Sequence, residues 1–243
     1  MANNPQVIFF DAAGTLIEVR VGVGEIYSRV AREFGFEADP QPLQQSFARA
    51  FRLQPQMAFP AGTPEPQLIG LEKDWWRNLV KDVFADLGSF PRFDEFFDEI
   101  FERFRGSEFW RVFDDVEPAL IELKQRGLRL GVISNFDSRL YDVLRACRLD
   151  HFFDSVHIST RVGAAKPDPA IFQAALNCHG IEPRQARHVG DSLREDVEGA
   201  AAAGVKALLI NRDYSMSEAM SEALSENSPA PTISSLGQIL QFI

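Results

Sequence analysis

From residue 114 onward, short apolar runs alternate with amphipathic stretches, and few folds accept that rhythm. The segments "LRLGVISNF" (128–136), "SVHIS" (155–159), "ARHVGDS" (186–192) and "VKALLI" (205–210) read as buried strands. Between them "SRLYDVLRACRL", "PAIFQAALNCHG" and "REDVEGAAAAG" read as helices. Pro169 falls near the first turn of the second helix and Gly180 just past its end, while Gly204 stops the third. Strands spaced by helices join in parallel through right-handed crossovers, with helices on both faces of the sheet. "VIFF" at 7–10 adds one more strand of the same buried type.

Residues 17 to about 112 have another texture. "EIYSRVAREFGF", "PLQQSFARAFRL", "DWWRNLVKDVFADLG" and "FDEFFDEIFERFRG" carry apolar residues at helical spacing. In the last, Phe93, Phe96, Phe97, Ile100, Phe101 and Phe104 share a face; such a stripe could line a ligand site, but its spacing favours helix-on-helix core. "QPQMAFPAGTPEPQLIG" (54–70) has no clear period and reads as a loop. The expected fold is α/β: a Rossmann-like parallel sheet core in three αβα layers, with an inserted helical cap domain. The core takes residues 1–17 and 113–243, the cap residues 18–112. The "MSEAMSEALSENSPAP" tail reads as a surface helix and loop ahead of a docked helix, "SLGQIL".

Open parallel sheets bind ligands in the crevice at the carboxyl ends of their strands. Asp11 falls at such an end, and so do Ser134, Asn135 and Asp191. In "HVGDSLREDVEGAAAAG", Asp191 leaves its strand at a glycine turn, and Glu195 and Asp196 follow near the helix start. Asp191 and Asp196 so placed can meet Asp11 around one hard cation. In "AAKPDPAIF", Lys166 precedes an N-cap candidate, Asp168, and can carry a compact positive charge into the crevice.

A formal net charge of −10 argues against nucleic acid and against an anionic membrane as partners. A small anionic substrate therefore needs a metal ion or a local cation to be admitted. The two cysteines, Cys147 and Cys178, lack metal-site spacing and read as reduced packing residues. No basic stretch leads into a long apolar run at the N-terminus, so a cytoplasmic location is expected. Nothing in the sequence speaks to oligomeric state.

"DAAGTL", "VISNF", "KPDP" and "HVGDSLRED", in that order, resemble the four motifs of the haloacid dehalogenase-like hydrolase superfamily. The resemblance spans essentially the whole chain, with a helical cap inserted after the first motif, and is strongest to the rhythmically-expressed-gene-2-like branch. It implies Asp11 as the nucleophile that forms a covalent aspartyl intermediate and as a Mg²⁺ ligand. It implies Ser134, with Asn135, as holder of the transferring phosphoryl group, and Lys166 as the group that stabilises charge. Asp191, Asp196 and the backbone carbonyl of Ala13 would complete the Mg²⁺ site. The implied activity is hydrolysis of a small phosphorylated metabolite.

Ala13 departs from that pattern. Family phosphatases place a second Asp there, which protonates the leaving group and then activates water. General acid–base catalysis is worth roughly 10² to 10⁴ in rate, and an alanine supplies none of it. One alternative resembles the phosphonoacetaldehyde hydrolases, which also carry alanine here and use a cap lysine as a Schiff-base former, with Lys73 and Lys81 as candidates. True haloacid dehalogenases also lack the second Asp, but they lack the paired acids seen at Asp191 and Asp196 as well. A last alternative is a non-catalytic, regulatory binder of phosphoryl ligands.

Overall fold

The computed structural model describes residues 5–212 and 229–243. Strand β1 (Val7–Phe10) is followed by β2 (Ile17–Val19), which leads into four helices: α1 (Val23–Glu33), α2 (Pro40–Leu53), α3 (Glu65–Phe84) and α4 (Phe93–Arg103). Strand β3 (Trp110–Val112) brings the chain back. Then come α5 (Val116–Gln125), β4 (Arg129–Ser134), α6 (Leu140–Ala146), β5 (Ser155–Ile158), α7 (Ser159–Val162) and α8 (Pro169–His179). Strand β6 (Ala186–Gly190) runs into a π-helical turn, Leu193–Glu198, continued by α9 (Gly199–Ala202). The described chain closes with β7 (Lys206–Ile210), β8 (Thr232–Ile233) and a 3₁₀ helix, Leu236–Gln241.

Six strands form one parallel sheet in the order β5-β4-β1-β6-β7-β8. Alternate residues of a strand face opposite sides, so a strand covered on both faces must be apolar throughout. Strand β1 meets that demand: Ile8 and Phe10 pack with Leu120, Leu123 and Val143 on one face, Val7 and Phe9 with Ile171, Phe172 and Leu176 on the other. All four β1 side chains are fully buried, each worth roughly 1.5–3 kcal/mol relative to exposure. The chain crosses from β1 to β4 on one side and later to β6 on the other, which opens a crevice over the end of β1.

The helices α1 to α4 bury their own apolar cluster, separate from those flanking the sheet. Chain exit and return are paired: β2 and β3 form an antiparallel ribbon, Ile17 opposite Val112 and Val19 opposite Trp110. Its strands are too short to show period-two patterning in the sequence.

Several segments differ from their sequence-based expectation. Helix α3 begins inside the stretch expected to be a loop, at Glu65, because Pro66 is compatible with the first turn of a helix. Helix α6 starts later than expected, since the Asp137 carboxylate first accepts the Arg139 amide at 2.9 Å and holds a turn. The terminal "SLGQIL" is docked through buried Leu236 and Ile239, but as 3₁₀ helix. Cys178 is exposed rather than packed. The helix expected over the first part of the tail lies outside the described residues.

Candidate active site

The end of β1 is fixed before it reaches the crevice, because the Asp11 amide donates to the Val189 carbonyl at 2.9 Å. The chain then turns sharply, with the Leu16 and Ile17 amides both donating to the Ala12 carbonyl. Gly14 takes φ +88° in this turn, and a Cβ there would lie 2.3 Å from Asp191 Oδ2. Glycine is thus what lets the loop after β1 approach the loop after β6. At the end of β6, a Cβ on Gly190 would lie 2.0 Å from the Asp196 carboxyl carbon. Beyond it the Asp196 and Val197 amides both donate to the Ser192 carbonyl, and the five-residue reach of the second makes the turn π-helical. That widened turn carries Glu195 and Asp196 back toward Asp11.

Lys166 lies at the centre of the assembly and is 1% exposed. Its Nζ donates to Asp11 Oδ1 at 2.7 Å and to Asp196 Oδ1 at 2.5 Å. Burial works against its charge, yet the two carboxylates outweigh burial and raise its pKa above the ordinary lysine range. Burial likewise opposes ionisation of Asp196, but Lys166 and His188 hold that carboxyl well below the usual range. Asp11 goes the other way: burial raises it, Lys166 opposes, and the Asp196 charge adds to the rise. Loss of water, then the Asp11 and Asp196 charges, push Asp191 up to about 7.

One oxygen each from Asp11, Asp191 and Asp196 lies within 4.8 Å of the others, a spacing one cation could bridge. Hard oxygen donors and more negative charge than Lys166 cancels suit a divalent ion such as Mg²⁺. Asp196 is the most heavily committed of the three. Its Oδ1 accepts from Lys166 and from His188 Nε2 at 2.8 Å, and its Oδ2 from the Ser192 amide at 3.0 Å. Asp196 therefore positions Lys166 before it does anything else.

The remaining expected residues fall at the same crevice. Ser134 is buried at the end of β4, beside β1. The Asn135 amide braces the lysine loop: it accepts from the Lys166 amide at 2.7 Å and donates to the Lys166 carbonyl at 2.9 Å and to Glu195 at 3.1 Å. Ala13 lines a cavity over the crevice together with Gly14, Asn135 and Asp191. Lys73 pairs with Asp98 at 2.9 Å and lies 5.8 Å from the centre of the Phe101 ring, while Lys81 is exposed; neither is among the residues lining that cavity.

Two features escaped sequence reasoning. His188 is a fully buried polar residue inside the largely buried strand β6, and such a residue must find a partner; here it is Asp196. That pattern was a legible signal. The second is a cap-to-core junction with no local signature. Glu72 of α3 accepts from Ser138 Oγ at 2.9 Å and Thr160 Oγ1 at 2.6 Å, and the Trp76 indole donates to Asp137 at 2.6 Å.

The cavity has a volume of about 420 Å³. The phenylalanine stripe of α4 divides its work: all of it belongs to or packs on the cap core, while Phe97, Ile100, Phe101 and Phe104 also wall the cavity.

A parallel sheet with strand-end carboxylates around a buried lysine, under a helical insert, defines an α/β domain with a charged crevice at the carboxyl ends of its strands. The chain belongs to the haloacid dehalogenase-like hydrolases, whose family model matches residues 5–204. It is 33% identical over 240 residues to haloacid dehalogenase-like hydrolase domain-containing protein 3 of Homo sapiens, covering 97% of this chain and 94% of that one. It is 29% identical over 217 residues to the Rhythmically expressed gene 2 protein of Drosophila melanogaster, covering 85% of this chain and 83% of that one. In fold it is similar to the crystal structure of a HAD phosphatase from Thermococcus onnurineus, with a TM-score of 0.64 at 24% identity, covering 98% and 97% of the two chains.

Proposed function

We propose that this hydrolase is a Mg²⁺-dependent phosphatase that cleaves a small phosphate monoester through a covalent intermediate on Asp11. The observation that carries the reading is Lys166, buried between Asp11 and Asp196 with Asp191 close by. Asp11, Asp191 and the Ala13 carbonyl would hold the Mg²⁺, with Asp196 in reserve behind Lys166. When bound, the ion supplies Lewis-acid stabilisation of charge on the phosphoryl oxygens and favours the ionised form of Asp11. An Asp11 oxygen attacks phosphorus, and the ester P–O bond breaks with its electron pair on the leaving oxygen. Lys166 and Ser134 steady the phosphoryl oxygens, and Asn135 keeps the lysine loop in place. Water then attacks phosphorus, which restores the Asp11 carboxylate and releases inorganic phosphate.

Asp11→Asn is nearly isosteric and removes the nucleophile. It should fold as the parent does and release no phosphate, while an acyl phosphate trapped by hydride reduction should mark Asp11 in the parent by mass spectrometry. Normal turnover by the variant rules the mechanism out. Ala13 favours a second reading, a phosphoryl-ligand binder, which predicts tight Mg²⁺ and phosphate binding with no phosphate release from any ester.

A further inference from the structure

The cavity beside Ala13 bears on the substrate's other half. Its volume of about 420 Å³ falls within the range of small-molecule sites, roughly 300–1,000 Å³. Its wall is largely aromatic, with Tyr27, Trp76, Phe97, Phe101, Phe104 and Trp110 all contributing.

The polar groups of that wall are mostly spent on the protein itself. The Trp76 and Trp110 indoles donate to Asp137 and to the Phe104 carbonyl, at 2.6 and 3.0 Å. Arg139 has Nε and one terminal nitrogen on Asp137 and the other on the Phe101 carbonyl. The Asn135 amide is committed to Lys166 and Glu195, and Glu18 is paired with Arg111. A polyol body would bury hydroxyls that find few partners here, which is unfavourable, whereas an aromatic ring would meet ring edges and faces.

Ala13 points to the same substrate. A leaving alkoxide needs a proton as its bond to phosphorus breaks, but an aryl oxide is stable enough to leave without one. We infer that the substrate is an aryl phosphate, the phosphate monoester of a phenol, with its ring in the cap cavity and its phosphate at Asp11, an assignment that rests on the phosphatase reading above. The Asp11 oxygen–phosphorus bond forms as the aryl P–O bond breaks. The aryl oxide departs with the electron pair and takes its proton from solvent.

The test uses the parent protein with Mg²⁺ and three phosphonates that cannot be hydrolysed: 2-naphthylmethyl-, methyl- and 2,3-dihydroxypropylphosphonate. Calorimetry should show the naphthyl compound binding at least about ten-fold tighter than the other two, as burial of a bicyclic ring demands. It should also displace methylphosphonate competitively and quench tryptophan fluorescence. Phosphate release is followed in parallel from 2-naphthyl phosphate and acetyl phosphate, neither of which needs an acid. Equal affinity across the three phosphonates, or preference for the dihydroxy compound, overturns the aromatic assignment even if acetyl phosphate is hydrolysed. Naphthyl preference with no phosphate released from either compound overturns the phosphatase reading instead and leaves an aryl-phosphate-binding cavity.

Discussion

At position 13 the side chain is a methyl group, exposed to the cavity beside Asp11 and Asp191. Ala13→Asp should restore a proton donor where the wall has room for one. Phosphate release from an alkyl phosphate should rise by up to about 10² to 10⁴, and from an aryl phosphate by less, because the aryl oxide needs little help. A parent that already hydrolyses the alkyl ester at an ordinary rate, on the order of 10 per second, would mean that another group supplies the proton. One residue on, the constraint is steric. Gly14→Ala puts a Cβ 2.3 Å from Asp191 Oδ2 at φ +88°. The variant should lose roughly 1–3 kcal/mol of stability, and its calorimetric Mg²⁺ affinity should fall as the two loops are forced apart. Unchanged Mg²⁺ affinity would show that the loops need not touch.

At the scale of elements, the site depends on how helices and turns begin. Asp168 caps α8, its carboxylate accepting the Ala170 amide at 2.9 Å, and Pro169 presets the first turn. Because Lys166 sits two residues upstream, that cap also fixes the lysine loop. Asp168→Ala should cost about 0.5–2 kcal/mol, a few degrees in melting temperature for a chain of this size. The π-helical turn at Leu193–Glu198 does the corresponding task across the crevice, since it returns Asp196 to Lys166. "REDVEGAAAAG" reads as one plain helix from its residues. What widens its first turn is the contact between Asp196, Lys166 and His188, partners 30 and 8 residues away in sequence.

At the scale of the molecule, cap and core meet through buried polar contacts as well as through the β2–β3 ribbon. Glu72 is central: a single oxygen accepts from the Ser138 amide, Ser138 Oγ and Thr160 Oγ1. Burial raises its carboxyl above the ordinary 4.5, the Thr160 and Ser138 hydrogen bonds oppose, and the Asp137 charge adds to the rise. An acid whose folded value is raised contributes stability in full below its unfolded value, and that contribution is lost as pH climbs through the folded value. Glu72→Gln keeps an acceptor oxygen for all three donors and removes the charge. From pH 4.5 toward neutrality the parent should lose melting temperature relative to the variant, and the variant should be the more stable at pH 7. A gap that does not widen with pH would show that Glu72 is not the titrating group.

Periodicity and turn residues were enough for the sequence to determine the parallel sheet, the helical insert and the strand ends that carry Asp11, Ser134 and Asp191. Those features are local: apolar runs, glycine turns and N-caps act within a few residues of themselves. The sequence also placed Lys166, Asn135 and Asp196 near one crevice. Tertiary structure alone decided that Asp196 anchors Lys166 and that Asn135 braces its loop, because hydrogen-bond partners 30 or more residues apart leave no periodic trace. It alone decided that the α4 stripe walls a cavity as well as a core. A helix face shows in its sequence that it must be covered, while what covers it depends on where other elements stop. Here the cap helices stop short of filling the space above Ala13, and the wall they leave there is aromatic.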